Sequence, residues 1–370
     1  MVIAGADYVM THVALTRAST ISPILACLES IGVSIDRLLA AAELPPWITH
    51  RRHAESLIPA RSTVRLLGPA CRETGIPSLG LIAAERNGVR ALGMLGRLIG
   101  AAPTLGAALE SLVRYSRTMT SNRPLWLSPR GDQVDFCMAV EDDVDPRDVG
   151  WQQDDHFCLG LMISAVRMAA GPRWRPTEVR LQTGEAAGLR DAETLADARI
   201  AFRQPVTMVA VPRELLAAPL SPAPDAAPAA DAFEDWKSSA PVRDFVGSVR
   251  QAIETLSCGD DYPAVGATAA FVGMSVRTLQ RYLAAAGVGH DTLVAQTRFA
   301  MAAAVLEQTD VKILDLALDL GYSDHANFTR AFRRWAGCSP RAYRLAKQEP
   351  RRPPRCARIA AGHAVSNGRR

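Results

Sequence analysis

The chain has 370 residues, a formal net charge of +4 and seven widely spaced cysteines. That length predicts two or three domains, each able to bury a core. An odd number of cysteines without a C-x-x-C pair argues against a disulfide framework and a zinc ribbon. The sequence shows neither a leader pattern nor an apolar run of ~18 residues, so we expect a soluble cytoplasmic protein without cofactor, metal or membrane partner.

Apolar periodicity predicts a mixed α+β domain over residues 1–217. Helical spacing of apolar residues occurs near Ile24–Ala41, Ser62–Thr74, Leu92–Ala101 and Leu105–Thr118. Alternation typical of half-buried strands occurs at Gln133–Val140, Thr177–Gln182 and Pro205–Val211. A further helix is expected over Asp155–Ala170, between the first two strands.

Three patterns in this domain have both a chemical and a structural interpretation. The spacing of Gly93, Gly96 and Gly100 favours close helix packing over a phosphate loop, because no strand precedes it. His50 and His53 favour a surface pair over a metal site, since no Cys or carboxylate ligand stands nearby at helical spacing. The run "WQQDDHFC", Trp151–Cys158, fits an acid/base cluster or, as we favour, a charged helix start with Cys158 packed inward.

The arginines of Leu112–Trp126 also allow two interpretations. Arg114, Arg117 or Arg123 would line an effector pocket and pair with a carboxylate. Alternatively, the segment is a solvated helix face that runs into a loop, and this second interpretation is the one we favour.

The Pro/Ala/Asp-rich run from Ala218 to Trp236 predicts a semi-rigid linker over residues 218–240. Every later segment has helical spacing, so residues 241–349 are predicted to form an all-α domain. A basic tail follows over residues 350–370, where arginine and proline without a periodic apolar face predict disorder.

The all-α domain contains an internal repeat, in which Ala267–Gly287 parallels Asp315–Gly337. Each copy has two short amphipathic segments around a turn glycine, Gly273 or Gly321, which is the helix-turn-helix pattern. In the first copy Ser275 is the expected N-cap. Val276, Leu279, Leu283 and Ala286 are expected to face inward, and Arg277, Thr278, Gln280 and Arg281 outward.

The second copy places its arginines opposite an apolar stripe. Ile313, Leu316, Ala317 and Leu320 form one stripe, and Phe328, Ala331, Phe332 and Trp335 form the next, with Ser323 or Asp324 as N-cap. Arg330, Arg333 and Arg334 project from the other side. From His325 to Arg370 twelve Lys plus Arg face one acidic residue, about +11 by subtraction, which favours a double-stranded DNA partner over a merely solvated face.

A helix predicted over about Thr292–Glu307 joins the two copies. At ~1.5 Å per residue it spans roughly 24 Å. We therefore expect both second helices to enter one face of a duplex, about one turn (~34 Å) apart.

These motifs closely resemble the DNA-binding domain of the AraC family of bacterial transcription regulators. The segments "MSVRTLQRYL", "IxDLALDLGY" and "FTRAFRRWAGCSPRAYR" occur in order at the family's spacing within about Pro241–Leu345. The resemblance implies base or phosphate contacts by Arg277, Gln280, Arg281, His325, Ala326, Asn327 and Arg330. Ser275, Thr278 and Arg334 complete the predicted DNA-binding set. Ala326 departs from the polar residue often found there, which weakens the expected direct readout by the second copy.

The stretch Arg90–Arg117 looks like the arabinose-binding-like effector domain of an AraC subgroup that includes regulators of amino-acid and lipid metabolism. This resemblance spans roughly Ile21–Val211. It implies a small organic effector of unknown identity, a homodimer and RNA polymerase as a partner, and hence an effector-controlled activator.

Other function classes fit the sequence less well. No catalytic or dinucleotide fingerprint is present, so an enzyme is not expected. A DNA-repair methyltransferase fusion is disfavoured because the N-terminal cysteines are too dispersed to bind one metal. A ligand-free architectural protein would not need the leading domain, whereas a ligand-independent or protein-partner-controlled regulator remains the alternative.

Overall fold

The computed structural model describes residues 11–142, 145–221, 228–257 and 263–348. The chain divides into two compact units, Met1–Val294 and Ala295–Arg370. This division differs from the predicted domain boundaries, which stay a prediction because packing units need not be functional domains. The predicted tail lies outside the described residues. Within the described ranges no helix is long and apolar enough to cross a membrane.

The N-terminal part of the first unit mixes helices and strands, which confirms the predicted α+β class. Its elements are β1 Leu15–Arg17, α1 Ser22–Ser30, α2 Ile35–Ala41, β2 Leu57–Pro59, α3 Ser62–Thr74, α4 Leu79–Asn87, α5 Gly93–Gly100, α6 Leu105–Met119, β3 Leu125–Arg130, β4 Gln133–Met138, α7 Val149–Ala170, β5 Glu178–Arg180, β6 Arg199–Ala201 and β7 Thr207–Pro212. The single helix predicted over Ile24–Ala41 is wrong. It is two helices, because Gly32 between them adopts φ +78°.

Five strands form the main sheet in the order β3-β4-β7-β5-β6. All pairs are antiparallel except β5 with β6, and β4 pairs with β7 from Gln133 opposite Pro212 to Met138 opposite Thr207. Phe136 and Val209 contribute to the core that α6 and α7 share, whereas Cys137 and Met208 cluster with Trp126. The alternation read from the sequence therefore separates the two sheet faces.

Helix α7 is the central helix of this region and packs closely on α4. It begins at Val149, six residues before the predicted start, because Asp148 caps it by accepting a 3.0 Å hydrogen bond from Trp151 N. A Cβ built on Gly80 of α4 would lie 1.9 Å from the Gln153 carbonyl oxygen, and one on Gly160 would lie 2.6 Å from Ala84 Cβ. Glycine at both positions is what permits this approach.

The predicted linker contains a packed helix, α8, over Ala230–Ser238. Trp236 of α8 is 2% exposed and belongs to the same core as Phe136 and Leu109. The Pro/Ala/Asp composition predicted a segment that buries little apolar surface, and for this part of it that prediction is wrong. Aromatic residues at its end anchor the helix, and Phe233 contacts Tyr115 with ring centroids 5.4 Å apart.

Three further helices complete the first unit: α9 Phe245–Leu256, α10 Val265–Val272 and α11 Val276–Ala285. They do not have a core of their own. Val249, Ile253 and Leu279 belong to one hydrophobic cluster with Ile24 and Leu66 of the N-terminal helices. The first helix-turn-helix is therefore packed as part of the N-terminal unit.

Helix α12 follows over His290–Gln308, and the division between the units falls within it. The second unit then has α13 Ile313–Asp319, α14 His325–Ala336 and α15 Pro340–Gln348. Its core combines Leu306, Leu316, Leu320, Phe328 and Phe332. This all-helical arrangement, with two helix-turn-helix motifs and the helix between them, confirms the predicted C-terminal fold.

Candidate nucleic-acid interface and internal cavity

The first helix-turn-helix, α10 and α11, turns at Gly273, whose φ of +77° is left-handed. Ser275 caps α11 by accepting a 3.1 Å hydrogen bond from Thr278 N, as predicted. Leu279 and Leu283 are buried. Val276 is 38% exposed and Ala286 is also exposed, so the prediction that these two face inward is wrong. They lie at the ends of a short helix, beyond the reach of the shared core.

The outward face of α11 is basic and polar. Arg277, Gln280 and Arg281 are exposed, whereas Thr278 is half-buried and its hydroxyl is 2.8 Å from Ser275 Oγ. The Arg281 guanidinium lies 5.2 Å from the centroid of the Tyr282 ring, which orients its charge along the helix surface. Most of the predicted first-copy residues thus share one solvent-facing surface.

The second helix-turn-helix, α13 and α14, turns at Gly321 with φ +68°. Asp324, rather than Ser323, caps α14 by accepting a 2.7 Å hydrogen bond from Asn327 N. That backbone hydrogen bond is the main reason why the pKa of Asp324 is lowered. The negative charge of this cap also interacts favourably with the positive N-terminal end of the helix dipole.

A chain of hydrogen bonds joins the predicted contact residues of α14. Asn327 Nδ2 donates to Ser323 Oγ at 2.9 Å and to Asp324 Oδ2 at 2.7 Å. Arg330 Nη2 donates to Asn327 Oδ1. Asn327 is half-buried and its amide is engaged at both ends, so here it positions Arg330 instead of presenting a free amide.

The rest of the α14 surface is exposed at His325, Ala326, Arg330, Arg333 and Arg334. Trp335 is 44% exposed, so its predicted place in the buried stripe is wrong. It follows Phe328 by seven residues and has drifted past the edge of the core that Phe328 and Phe332 fill. With no acidic residue between His325 and Ala336, the surface suits a polyanion.

A cavity of about 100 Å³ lies inside the N-terminal part of the first unit. The sheet, α5, α6, α7 and the segment around β1 line it, and it is partly open to the surface. Its wall is mostly apolar with a few hydroxyls and one guanidinium, and it comprises Thr16, Thr20, Ala60, Thr63, Val89, Leu92, Leu95, Leu112, Ser116, Met119, Thr120, Arg123, Leu125, Phe136, Met138, Phe157, Cys158, Leu161 and Met162.

Arg123 supplies the charged group of this wall and is buried. Its Nη2 donates to Asp154 Oδ2 at 2.6 Å and its Nη1 to Cys158 Sγ at 2.9 Å. Burial by itself lowers the pKa of Arg123, but Asp154 and Cys158 raise it above its ordinary value. Arg114 is exposed, and Arg117 pairs with Glu141 at 2.7 Å. The favoured interpretation, a solvated face, is therefore wrong for Arg123.

The run Trp151–Cys158 lies in the first turns of α7, close to its start as predicted, but its charged residues Asp154 and Asp155 are buried. Cys158 packs inward as predicted, and burial raises the pKa of its thiol to about 12. Asp155 accepts hydrogen bonds from Thr183 and Thr207, and burial raises its pKa. His156 is fully buried, and burial lowers its pKa to about 4. Charged residue types misled the prediction here, because the sheet supplied hydrogen bonds that sequence spacing does not reveal.

The remaining two patterns have structural roles. His53 is buried against Trp47, with ring centroids 4.7 Å apart, so the pair predicted on the surface is wrong for this residue, although His50 is exposed. Gly96 lies in α5, as predicted, and a Cβ there would lie 2.2 Å from the Arg90 carbonyl oxygen. Close helix packing explains that glycine.

Comparisons with known proteins identify the family in which an N-terminal α+β region is followed by two helix-turn-helix motifs. Residues 32–220 match the family model described as the arabinose-binding domain of AraC transcription regulators, and residues 268–346 match a helix-turn-helix domain model. The chain belongs to the AraC family of transcription regulators. It is a DNA-binding transcriptional regulator and not an enzyme, as the sequence predicted.

Two curated relatives of this AraC-family chain cover most of its length. The HTH-type transcriptional regulator VirS of Mycobacterium tuberculosis is 27% identical over 340 residues, 89% of this chain and 96% of VirS. The ornithine utilization regulator of Pseudomonas aeruginosa is 27% identical over 278 residues, 74% of this chain and 80% of that protein. The crystal structure of the transcriptional regulator CdpR from Pseudomonas aeruginosa is 22% identical, with a TM-score of 0.36, over 87% of this chain and 96% of CdpR.

Proposed function

We propose that this AraC-family regulator contacts promoter DNA through the exposed faces of α11 and α14 and that a small organic effector in the N-terminal cavity controls it. The observation that carries the proposal is the continuous packing of α9–α11 onto the cavity-bearing region. A ligand that alters one side of such a packed core also alters the other. The regulator is proposed to act in the cytoplasm as a homodimeric activator that works with RNA polymerase.

The proposed DNA contacts follow from exposure and chemistry. In the first motif they are Ser275, Arg277, Thr278, Gln280 and Arg281, and in the second His325, Ala326, Asn327, Arg330 and Arg334. Arginine suits both phosphate oxygens and the paired acceptors of guanine in the major groove. Because Asn327 is bound to Arg330 and Asp324, its proposed role is to orient the arginine.

The proposed control follows from direct hydrogen bonds between the N-terminal region and α9. Val13 N donates to Ser248 Oγ at 2.9 Å, and Thr255 Oγ1 donates to the Leu57 carbonyl oxygen at 2.7 Å. Both acceptors and donors are buried. Such contacts leave α9 little freedom to move independently of β1, whose Thr16 lines the cavity, and of β2, which is followed directly by the lining residue Ala60.

The DNA assignment is tested with the full-length protein and the promoter region next to its own coding sequence. We expect Arg281→Ala and Arg330→Ala each to weaken binding by roughly 1–3 kcal/mol and to flatten the base preference at one position. Arg37→Ala is the control, because Arg37 is an exposed arginine that pairs with Glu73 on the N-terminal region. A loss that is equal on all sequences indicates phosphate contact, and unchanged affinity in both variants contradicts the assignment.

Control by an effector is tested by a thermal-shift screen of the same protein against small organic molecules. By linkage, a compound that tightens promoter binding must itself bind more tightly, by the same factor, when promoter DNA is present. If no compound shifts the melting temperature while the promoter is regulated at constant strength, control by a protein partner or ligand-independent regulation replaces the proposal. Footprints of two protected patches about one turn apart (~34 Å) would support binding by both motifs.

A further inference from the structure

The size and lining of the cavity limit what it can bind. Its volume of about 100 Å³ is smaller than that of an apolar cavity of ~150 Å³ that accommodates benzene, so one ring is the upper limit for an occupant that the cavity encloses fully. Leucine, methionine and phenylalanine side chains form most of the wall. An occupant of roughly one ring or a short branched chain therefore gains most of its affinity from apolar contact.

The hydroxyl groups of the wall already donate hydrogen bonds within the protein. Thr63 Oγ1 donates to the Ala60 carbonyl oxygen, Ser116 Oγ to that of Val113, and Thr120 Oγ1 to Asn122 Oδ1, at 3.2, 2.9 and 2.9 Å. Thr16 Oγ1 likewise donates to the Met119 carbonyl oxygen at 3.3 Å, and the remaining wall hydroxyl, Thr20 Oγ1, is hydrogen-bonded to Thr16 Oγ1 at 3.0 Å. A hydroxyl has a single proton but two lone pairs, so what these groups offer an occupant is acceptors. An occupant with its own hydrogen-bond donor is favoured.

The positive charge in the wall is already compensated. Arg123 forms a 2.6 Å ion pair with Asp154, which is 1% exposed. Asp154 Oδ1 accepts no hydrogen bond among the described residues. The buried negative charge of Asp154 is therefore stabilised mainly by its ion pair with Arg123. A second carboxylate at Arg123 would place two anions around one cation in a buried site, which is unfavourable.

We propose that the cavity binds an uncharged, mostly apolar molecule of about one ring that carries a hydroxyl or similar donor. The donor group donates a hydrogen bond to a wall hydroxyl oxygen, and its oxygen lone pair accepts a hydrogen bond from the Arg123 guanidinium. Amino acids and carboxylic acids are excluded as occupants. The inference rests on the proposed effector control and adds the site and the chemical class of the effector.

Three probes of similar size separate the chemical classes in calorimetric titrations of the full-length protein. Benzyl alcohol is neutral and carries a donor, its isomer anisole is neutral without one, and benzoate is an anion. We expect benzyl alcohol to bind about tenfold more tightly than anisole, because anisole leaves buried acceptors unpaired. Benzoate is expected to bind more than about 100-fold more weakly than benzyl alcohol.

A matched pair of variants on α6 locates the site. Ser116 lines the cavity, whereas Ser111 does not, and both hydroxyls donate to a carbonyl oxygen of the preceding turn. Ser116→Leu should fill the cavity and abolish benzyl alcohol binding, and Ser111→Leu should leave it unchanged. Binding that survives in a folded Ser116→Leu protein places the site elsewhere and overturns the inference.

Asp154→Asn tests the charge argument independently of the Ser116→Leu variant, because it leaves the cavity open. The amide keeps an acceptor for Arg123 but removes the compensating charge, so the preference should reverse in favour of benzoate. Benzoate should also raise the melting temperature of this variant more than that of the unchanged protein. Failure of the reversal contradicts the charge argument even if the variant is less stable.

The outcomes distinguish this inference from the proposed function. If benzoate binds the unchanged protein better than benzyl alcohol, or if neither neutral probe binds while another compound shifts promoter affinity, the inference is wrong and effector control stands. If no small molecule of any class alters promoter binding, effector control itself fails. Preferential benzyl alcohol binding that Ser116→Leu removes supports the inference.

Discussion

Arg17 Nη2 donates a 2.6 Å hydrogen bond to the backbone carbonyl oxygen of Trp236 and so joins β1 to α8. The guanidinium is 1% exposed and also donates to the carbonyl oxygens of Thr118 and Glu55 and to Ser239 Oγ, at 3.2, 3.0 and 3.2 Å. Burial lowers its pKa to about 10, against the opposing effect of Glu55, so it stays charged at neutral pH. One side chain thus holds α8, the helix before α9, beside β1, whose Thr16 lines the cavity.

We expect Arg17→Met to destabilise the protein by about 2–4 kcal/mol, because several buried carbonyl oxygens lose their donor. The Trp236 indole should become more exposed, since α8 loses the hydrogen bonds that Arg17 donates to the Trp236 carbonyl oxygen and to Ser239 Oγ. Urea unfolding followed by tryptophan fluorescence measures the stability. Because the chain has six tryptophans, the exposure of Trp236 is obtained from the difference in folded-state emission between proteins with and without Trp236→Phe. Arg37→Met is the control, because the Arg37–Glu73 pair is exposed, and its effect should stay within about 0.5 kcal/mol. Equal losses in the two variants would show that Arg17 does not hold α8.

A glycine pair tests the close packing of α4 on α7. Gly80→Ala would bring a methyl group to 1.9 Å from the Gln153 carbonyl oxygen, whereas a methyl group at Gly266 of α10 meets nothing within 4 Å. We expect Gly80→Ala to cost about 1–3 kcal/mol through overpacking. Gly266→Ala should stabilise by about 0.5–1 kcal/mol, because alanine is the better helix former. Thermal denaturation of both variants decides, and a neutral Gly80→Ala would mean that the two helices separate at little cost.

Acid stability should depend on His156. Its folded pKa of about 4 lies below the ordinary value of 6.5, so between these pH values the unfolded chain binds a proton that the folded chain does not. The free energy of unfolding should therefore fall as pH decreases from 6.5 to 4, by up to about 3 kcal/mol from this residue.

Denaturant midpoints from pH 7 to pH 4 test this in two variants. His156→Leu should lose the contribution of His156, whereas exposed His50→Gln should keep it. Burial also lowers the pKa values of His12 and His53, and both variants retain their contributions. Neither His156 nitrogen has a hydrogen-bond partner among the described residues, so leucine leaves no group unpaired at neutral pH. Asp155, whose pKa is raised by burial, has the opposite pH effect but is common to both variants. Parallel pH profiles for the two variants would contradict the assignment.

Asn327 and Arg330 should act as one unit in DNA binding. Because Arg330 donates to Asn327 Oδ1, Asn327→Ala should flatten preference at the same base position as Arg330→Ala. In a double-mutant cycle the two losses should differ from additivity by about 0.5–3 kcal/mol. Fluorescence anisotropy with operator variants gives the affinities of the unchanged protein, the two single variants and the double variant. Additive losses at two different positions would instead mean that each side chain contacts its own base.

Local signals were sufficient for the helix-turn-helix motifs. Ser275 as N-cap and Gly273 and Gly321 as turn residues were predicted from the sequence and are found in those roles. Each depends on interactions within a few residues, which chain order reveals. The inward positions at the ends of the helices, Val276 and Trp335, were mispredicted because periodicity does not tell how far a neighbouring core extends.

The sequence by itself determined the two motifs, the α+β class of the leading region and the basic exposed faces, because helical and strand periods and turn residues are local properties of the chain. Only the tertiary structure decided that α8 is packed, that α9–α11 share a core with the N-terminal helices and that Arg123 meets Asp154 across 31 positions. Those contacts join residues far apart in sequence, and their burial converts charged side chains that look solvated into interior hydrogen-bonded pairs. The chemical character of the cavity follows from such pairs, so no local pattern could have predicted it.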